Sequence, residues 1–112
     1  MGVLSRDDFF NLPEPKRERV AVPALGGDVF VRQITAGERD DFERGMRAGD
    51  GKHLRPLIVA LVTVDEDGKP LFSAKDLGWL ASKPVAALEP ILNAHARLNY
   101  MSADDMAELE KN

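Results

Sequence analysis

Two histidines, four serines, one run of acids and nine glycines are the residues with which this chain could do chemistry. Their spacing argues against most of it. His53 and His95 form no His-x-x-x-His pair, and with no cysteine in the chain neither can complete a zinc site. His95 shares a helical face with Leu88, Ile91 and Leu98, the setting of a structural histidine with one hydrogen bond; His53 reads as a loop or first-turn residue. The glycines lack the G-x-x-x-x-G-K and G-x-G-x-x-G spacings that cradle phosphate on backbone amides. Asp65-Glu66-Asp67-Gly68 resembles the start of a calcium loop, but the third acid and the distal bidentate glutamate are missing. Ser5, Ser73, Ser82 and Ser102 all sit where helices need caps, and none lies in G-x-S-x-G. No carboxylate falls inside an apolar stretch that would lift its pKa into a working range. The expectation is a protein that is not an enzyme and holds no cofactor or metal.

Charge narrows the partners. Residues 1–64 are balanced, while residues 65–112 carry nine acids against five bases, so the net charge of −4 is C-terminal. A phosphate-backbone binder needs a basic face, and only Lys16, Arg17 and Arg19 make a small one. The helices from Ser73 to Leu98 resemble a helix-turn-helix in length, but the second lacks base-reading side chains at its start. The apolar run is too short to span a bilayer, and M-G-V-L-S-R-D-D has charges where a signal peptide needs an apolar core. The expected setting is cytoplasm, with neither nucleic acid nor membrane as partner.

The elements follow from caps, alternation and one dense apolar run. A hydroxyl residue with an acid three positions later marks four helix starts: Ser5/Asp8, Thr35/Glu38, Ser73/Asp76 and Ser102/Asp105. Leu4/Phe9, Phe72/Leu77 and Met101/Met106 stand as hydrophobic staples. Pro13 ends the first helix, and Pro13-Glu14-Pro15 is extended. Val20 and Val22, then Val29 and Val31, alternate with other residues on either side of Pro23–Asp28, which predicts a β-hairpin over about residues 19–33 with its valines on helices. Phe30 then points away, either under the N-terminal helix, as burial habits favour, or toward a partner. The second helix runs through Phe42 and Met46 and fades into Ala48-Gly49-Asp50-Gly51, a hinge-like loop. Leu57–Val64 contains one polar residue, Thr63. Its first-turn Pro56, and the lack of a second long apolar run to pair with it, predict a buried helix. Asp65–Gly68 reverses the chain and Lys69–Phe72 returns extended, beside the buried run.

Leu77, Leu80 and Ala81 form the inner face of the Ser73 helix. Trp79 projects off that stripe, as a lid over the core edge or as part of a recognition surface. Ser82 is the expected cap of the next helix, in which Pro90 predicts a kink or a restart. The fold expected is α+β: one mostly helical domain over residues 1–112, with one short antiparallel hairpin on four to six short helices. Residues 1–15 supply a helix and connector, and residues 101–112 an acidic, fraying terminal helix.

With these residues in place, L-S-R-D-D-F-F, then R-V-A-V-P-A-L-G-G-D-V-F-V-R-Q-I-T-A-G-E-R-D-D-F, then A-L-V-T-V-D-E-D-G-K-P-L-F-S and A-R-L-N resemble the tail assembly chaperones of long-tailed, lambda-like bacteriophages. The likeness covers about Val3 to Asn99. It implies a small helical protein with a hairpin that works in the cytoplasm of the infected or lysogenic host and is absent from the mature virion. Its partner would be the tape measure protein, an apolar helical rod that aggregates unless covered. Reversible cover by many copies, with self-association among them, calls for an apolar patch softened by methionine and aromatics. Phe72, Trp79, Tyr100, Met101 and Met106 are the candidates. The family also implies a longer product made by ribosomal frameshifting, whose extension recruits tail tube protein. Glu110-Lys111-Asn112 can be encoded with the slippery heptamer A-AAA-AAC. The competing expectation is a small regulatory or adaptor protein that binds a folded partner.

Overall fold

Arg17–Val22 (β1) and Gly27–Arg32 (β2) pair antiparallel from Arg17↔Arg32 to Val22↔Gly27. A single 3-10 turn, Pro23–Leu25, joins them, with proline presetting φ at its start. Gly26 closes it at φ 70°, a left-handed conformation that a side chain would strain. The hairpin begins two residues earlier than the valine alternation predicts, because Arg17 and Glu18 extend the ladder. Val22 and Val31 are buried, and Val20 and Val29 pack beside them, so the valine face is the core face as expected.

The computed structural model describes residues 2–49 and 53–99, and among these are five α-helices and three strands. α1 is Arg6–Phe10, α2 Ala36–Ala48, α3 Leu54–Val62, α4 Leu77–Ala81 and α5 Val85–Leu98. The domain is α+β and mostly helical. α5 lies across β1 and β2 and packs on α3, which also meets α4. Ile58, Val59, Val62, Leu80, Ile91, Leu92 and Ala94 fill the space between helices and sheet. The terminal helix expected from Ser102, and the Asp50–Gly51 part of the hinge-like loop, lie outside the described residues.

One element departs from expectation. α3 stops at Val62, and Thr63–Val64 forms a third strand, β3, antiparallel to β2 through Phe30↔Val64 and Val31↔Thr63. The helical prediction for Leu57–Val64 therefore fails in its last two residues. Val62-Thr63-Val64 is β-branched throughout and stiff in a helix, and the partner it needed was the half-buried β2 rather than a second long apolar run. The return turn stabilises this choice. Asp65 Oδ1 accepts from the N–H groups of Asp67 and Lys69 at 2.8 and 2.9 Å, Gly68 takes φ 84°, and Leu71 N–H donates to Thr63 O. The bonds from the Lys69 and Asp67 amides hold the Asp65 carboxyl below its ordinary pKa.

Capping chemistry sets the helix starts. Ser5, Thr35 and Ser73 each accept from a backbone N–H while the acid three residues on, Asp8, Glu38 or Asp76, accepts from the cap's own N–H. At Ser73 the box opens a 3-10 turn, Ala74–Asp76, that runs into α4. Ser82 does not cap α5. Its hydroxyl donates to Trp79 O at 2.6 Å and ends α4, whereas Pro84 holds the N-cap position of α5 without a side-chain bond. α5 runs through Pro90 as one helix and does not restart there. Pro56, in the first turn of α3, lacks an N–H where none has a helical partner anyway.

Two polar clusters fasten the hairpin to the helices. Arg32 donates to both Glu38 oxygens at 2.8 and 2.7 Å and to Leu61 O at 3.2 Å, joining β2, α2 and α3. The Arg32 hydrogen bond is the main reason that the Glu38 carboxyl falls to about 2. At the far end of α5, Gln33 donates to Leu98 O and Ile34 N–H donates to Asn99 Oδ1.

Candidate partner-binding surface

The predicted contact residues separate into a visible pair and an undescribed trio. Phe72 is partly buried and packs against the core. Trp79, on α4, is 56% exposed. Their ring centroids stand 6.4 Å apart at an interplanar angle of 44°. Lys83 places Nζ 4.7 Å from the centre of the Trp79 ring, a cation–π contact that leaves the ammonium at the surface. Leu71, also exposed, follows from the β3 return turn. Trp79 thus stands beside Phe72 on one side and opens the remainder to solvent. Tyr100, Met101 and Met106 lie outside the described residues.

Leu80, the residue after Trp79, points the other way and is buried. Beside it a groove of about 490 Å³ is bounded by His53, Leu54, Arg55 and Pro56 of the α3 start, Leu80 and Ala81 of α4, and Lys83, Val85 and Leu88 at the α5 start. Its lining is mixed, with buried Leu54, Leu80 and Leu88 behind the longer Arg55 and Lys83 side chains, and Val85 is half exposed at its edge. His53 shapes this end of α3, sitting exposed as the N-cap with φ 58° and no side-chain cap bond.

His95 belongs to the core. It is 1% exposed, and its Nδ1 lies 3.0 Å from Asn99 Nδ2. Because Asn99 Oδ1 accepts from Ile34 N–H and Nδ2 also donates to His95 O, the amide is oriented and Nδ1 must accept. The proton therefore sits on Nε2, which is buried and has no protein partner. Burial first, and the positive Arg39 second, lower the pKa to about 4, so the ring is neutral near pH 7. The ring lines a small cavity with Ile34, Arg39, Phe42, Glu43, Ile58 and Leu61. Among the described residues no group of three or more histidines and acids is placed to hold a metal ion, and no helix is long and apolar enough to cross a membrane.

The surface that sequence reasoning missed is N-terminal. Every residue of α1 is exposed, and Val3, Leu4, Phe9, Phe10 and Leu12 stand 63–101% open. Arg6 covers the Phe10 ring at 4.7 Å from within the arm itself. The expected packing of Phe30 beneath this helix is therefore corrected: α1 buries none of its residues, and the Arg19 guanidinium stands 5.7 Å over the Phe30 ring. One signal was present in the sequence. Phe9 and Phe10 are adjacent on a five-residue helix and cannot share a face, so Pro13 cuts off an apolar segment too short to bury both.

A scan against protein-family models, a search of curated proteins and a search of solved structures each find no match to this chain.

Proposed function

We propose that this protein is a tail assembly chaperone of the long-tailed phage kind, which covers the apolar faces of a tape measure protein until the tail tube forms. The single observation that carries the proposal is Trp79: a large aromatic held open on a short capped helix, seated on Phe72, with Leu71 exposed nearby. Exposed aromatics in a well-fixed position are the usual anchors of protein contacts. Such a surface suits a helical partner with apolar stripes, and the Lys83 ammonium over the ring leaves a polar rim from which the partner can depart. In this account the protein acts in the host cytoplasm and leaves before the virion is complete. A frameshift-extended form recruits tail tube protein.

The test is capture of the tape measure protein encoded in the same genome on immobilised full-length chain. Wild type is expected to retain it, and Trp79→Ala to lose at least about tenfold in affinity, the scale of a binding hot spot. Because the contact is apolar, retention should persist as salt rises. Failure of wild type to retain the tape measure protein, with retention of a folded host protein instead, would replace this account with an adaptor function.

A further inference from the structure

Taking Trp79 as the contact of the proposed tape measure partner, we propose that this surface accepts an amphipathic helix whose apolar stripe is bordered by carboxylates, and that Lys75 and Lys83 select it over a basic helix. The apolar ground comes from Trp79, 56% exposed, with the Phe72 ring centre 6.4 Å from its own and Leu71 also open to solvent. An aromatic anchor of this kind takes any apolar stripe. Charged groups at the rim decide which helix settles on it, because charge supplies specificity more than affinity.

Residues 65–112 hold nine acids and five bases, yet Trp79 stands between two of those bases. Lys75 precedes it by four residues, in the 3-10 turn that runs into α4, and Lys83 follows it by four, with Nζ 4.7 Å from the ring centre. Both lysines are exposed, and neither is ion-paired to a described residue. Arg97, another base of this half, is already paired with Glu18 at 2.8 Å. The acid next to Lys75 in sequence, Asp76, is engaged elsewhere: its Oδ2 accepts from the Ser73 N–H at 2.8 Å as half of the capping box. The groove beyond Trp79 has Lys83 and no acid among its described lining residues. A chain of net charge −4 thus carries a local cationic border at its exposed tryptophan.

Lys83 lies eight residues after Lys75, about 12 Å at the rise of a helix, so carboxylates two turns apart on a partner helix can meet both ammonium groups. Each lysine is a point charge on a flexible stem and demands no fixed geometry, which suits a contact that is later released. Single-stranded nucleic acid is the other polyanion with apolar faces, and it fits less well. Lys83 already lies over the Trp79 ring, where a base would stack, and two lysines are few for a phosphate backbone.

Trp79 is the only tryptophan, so its emission reports on this surface in the full chain. The probes are two tryptophan-free synthetic helical peptides with the same leucine stripe, bordered by glutamate in one and by lysine in the other. The acidic peptide should shift the emission and bind about tenfold more tightly than the basic one, from two exposed ion pairs gained and two repulsions avoided. The net charge of the chain opposes this order, so bulk attraction cannot produce it. Added salt should narrow the preference while the apolar contact persists. Lys75→Gln/Lys83→Gln, at exposed positions, should lose the preference for the acidic peptide. A basic peptide that binds as well as the acidic one, a double variant that keeps the preference, silence of both peptides, or an oligothymidylate that shifts the emission at lower concentration than the acidic peptide would each overturn the proposal. Retention of the tape measure protein on immobilised wild type alongside any of these results would leave Trp79 a partner contact without charge selection; loss of that retention would remove the tape measure reading itself.

Discussion

Acid should unfold this protein earlier than its carboxylates require, and His95 should be the cause. In the unfolded chain a histidine titrates near 6.5; in the fold His95 titrates at about 4. The folded pKa is the lower of the two, so the unfolded state takes up the proton first. Stability is complete above pH 6.5, declines as pH falls from there toward 4, and levels off below. The gap between the two values limits the full loss to about 3 kcal/mol, and by pH 4.5 about three-quarters of it has gone. The titratable groups facing the ring are Arg39, which stays charged and opposes protonation, and Glu43, which lines the same small cavity and is ion-paired to Arg39 at 3.2 Å. Burial exceeds both effects, since the ring is 1% exposed and Nε2 already lacks a partner. Urea denaturation at steps from pH 7.5 to 4.5 measures the decline, ahead of the pH range in which Glu38 is neutralised. His95→Leu should be less stable at neutral pH, because the Asn99 amide loses an acceptor, but nearly flat across the same range. A wild-type stability that does not change between pH 7 and 4.5, or a His95→Leu profile as steep as wild type, would refute the reasoning.

Ile58→Ala, at a fully buried position on α3, should cost about 2–5 kcal/mol in urea unfolding, while Trp79→Ala costs far less stability than it costs binding. Arg32→Met should cost about 2–3 kcal/mol by leaving Leu61 O and a half-buried Glu38 without their partner. It should also flatten the acid limb below pH 4.5: Glu38 has a depressed folded pKa, so its contribution is present above 4.5 and fades toward 2 only while Arg32 holds it.

The fold was readable where local chemistry and burial agreed. Each of the Ser5, Thr35 and Ser73 boxes needs only four residues to be satisfied, and all three form. The valines at 20, 22, 29 and 31 pointed to one core face because alternation admits no other arrangement. Thr63–Val64 was misread because its strand character rests on a partner more than thirty residues earlier in the chain, which no local pattern reports. Ser82 was misread because a hydroxyl two residues before a proline suits a helix end as well as a helix start; the Trp79 carbonyl decides between them. The candidate surface was half readable. Trp79 departs from the Leu77–Leu80 stripe in sequence, but the groove beside it combines α3, α4 and α5 and exists only after packing. Phe30 was expected beneath the N-terminal helix because apolar residues are usually covered; α1 instead leaves every one of its residues exposed.

Light scattering tests the proposal that this protein keeps an apolar helical rod from aggregating. A tape measure protein from the same genome, diluted from denaturant into buffer, should aggregate alone and stay clear with the wild-type chain in excess. Trp79→Ala should protect it poorly. Scattering that rises equally with and without the wild-type chain would contradict the account.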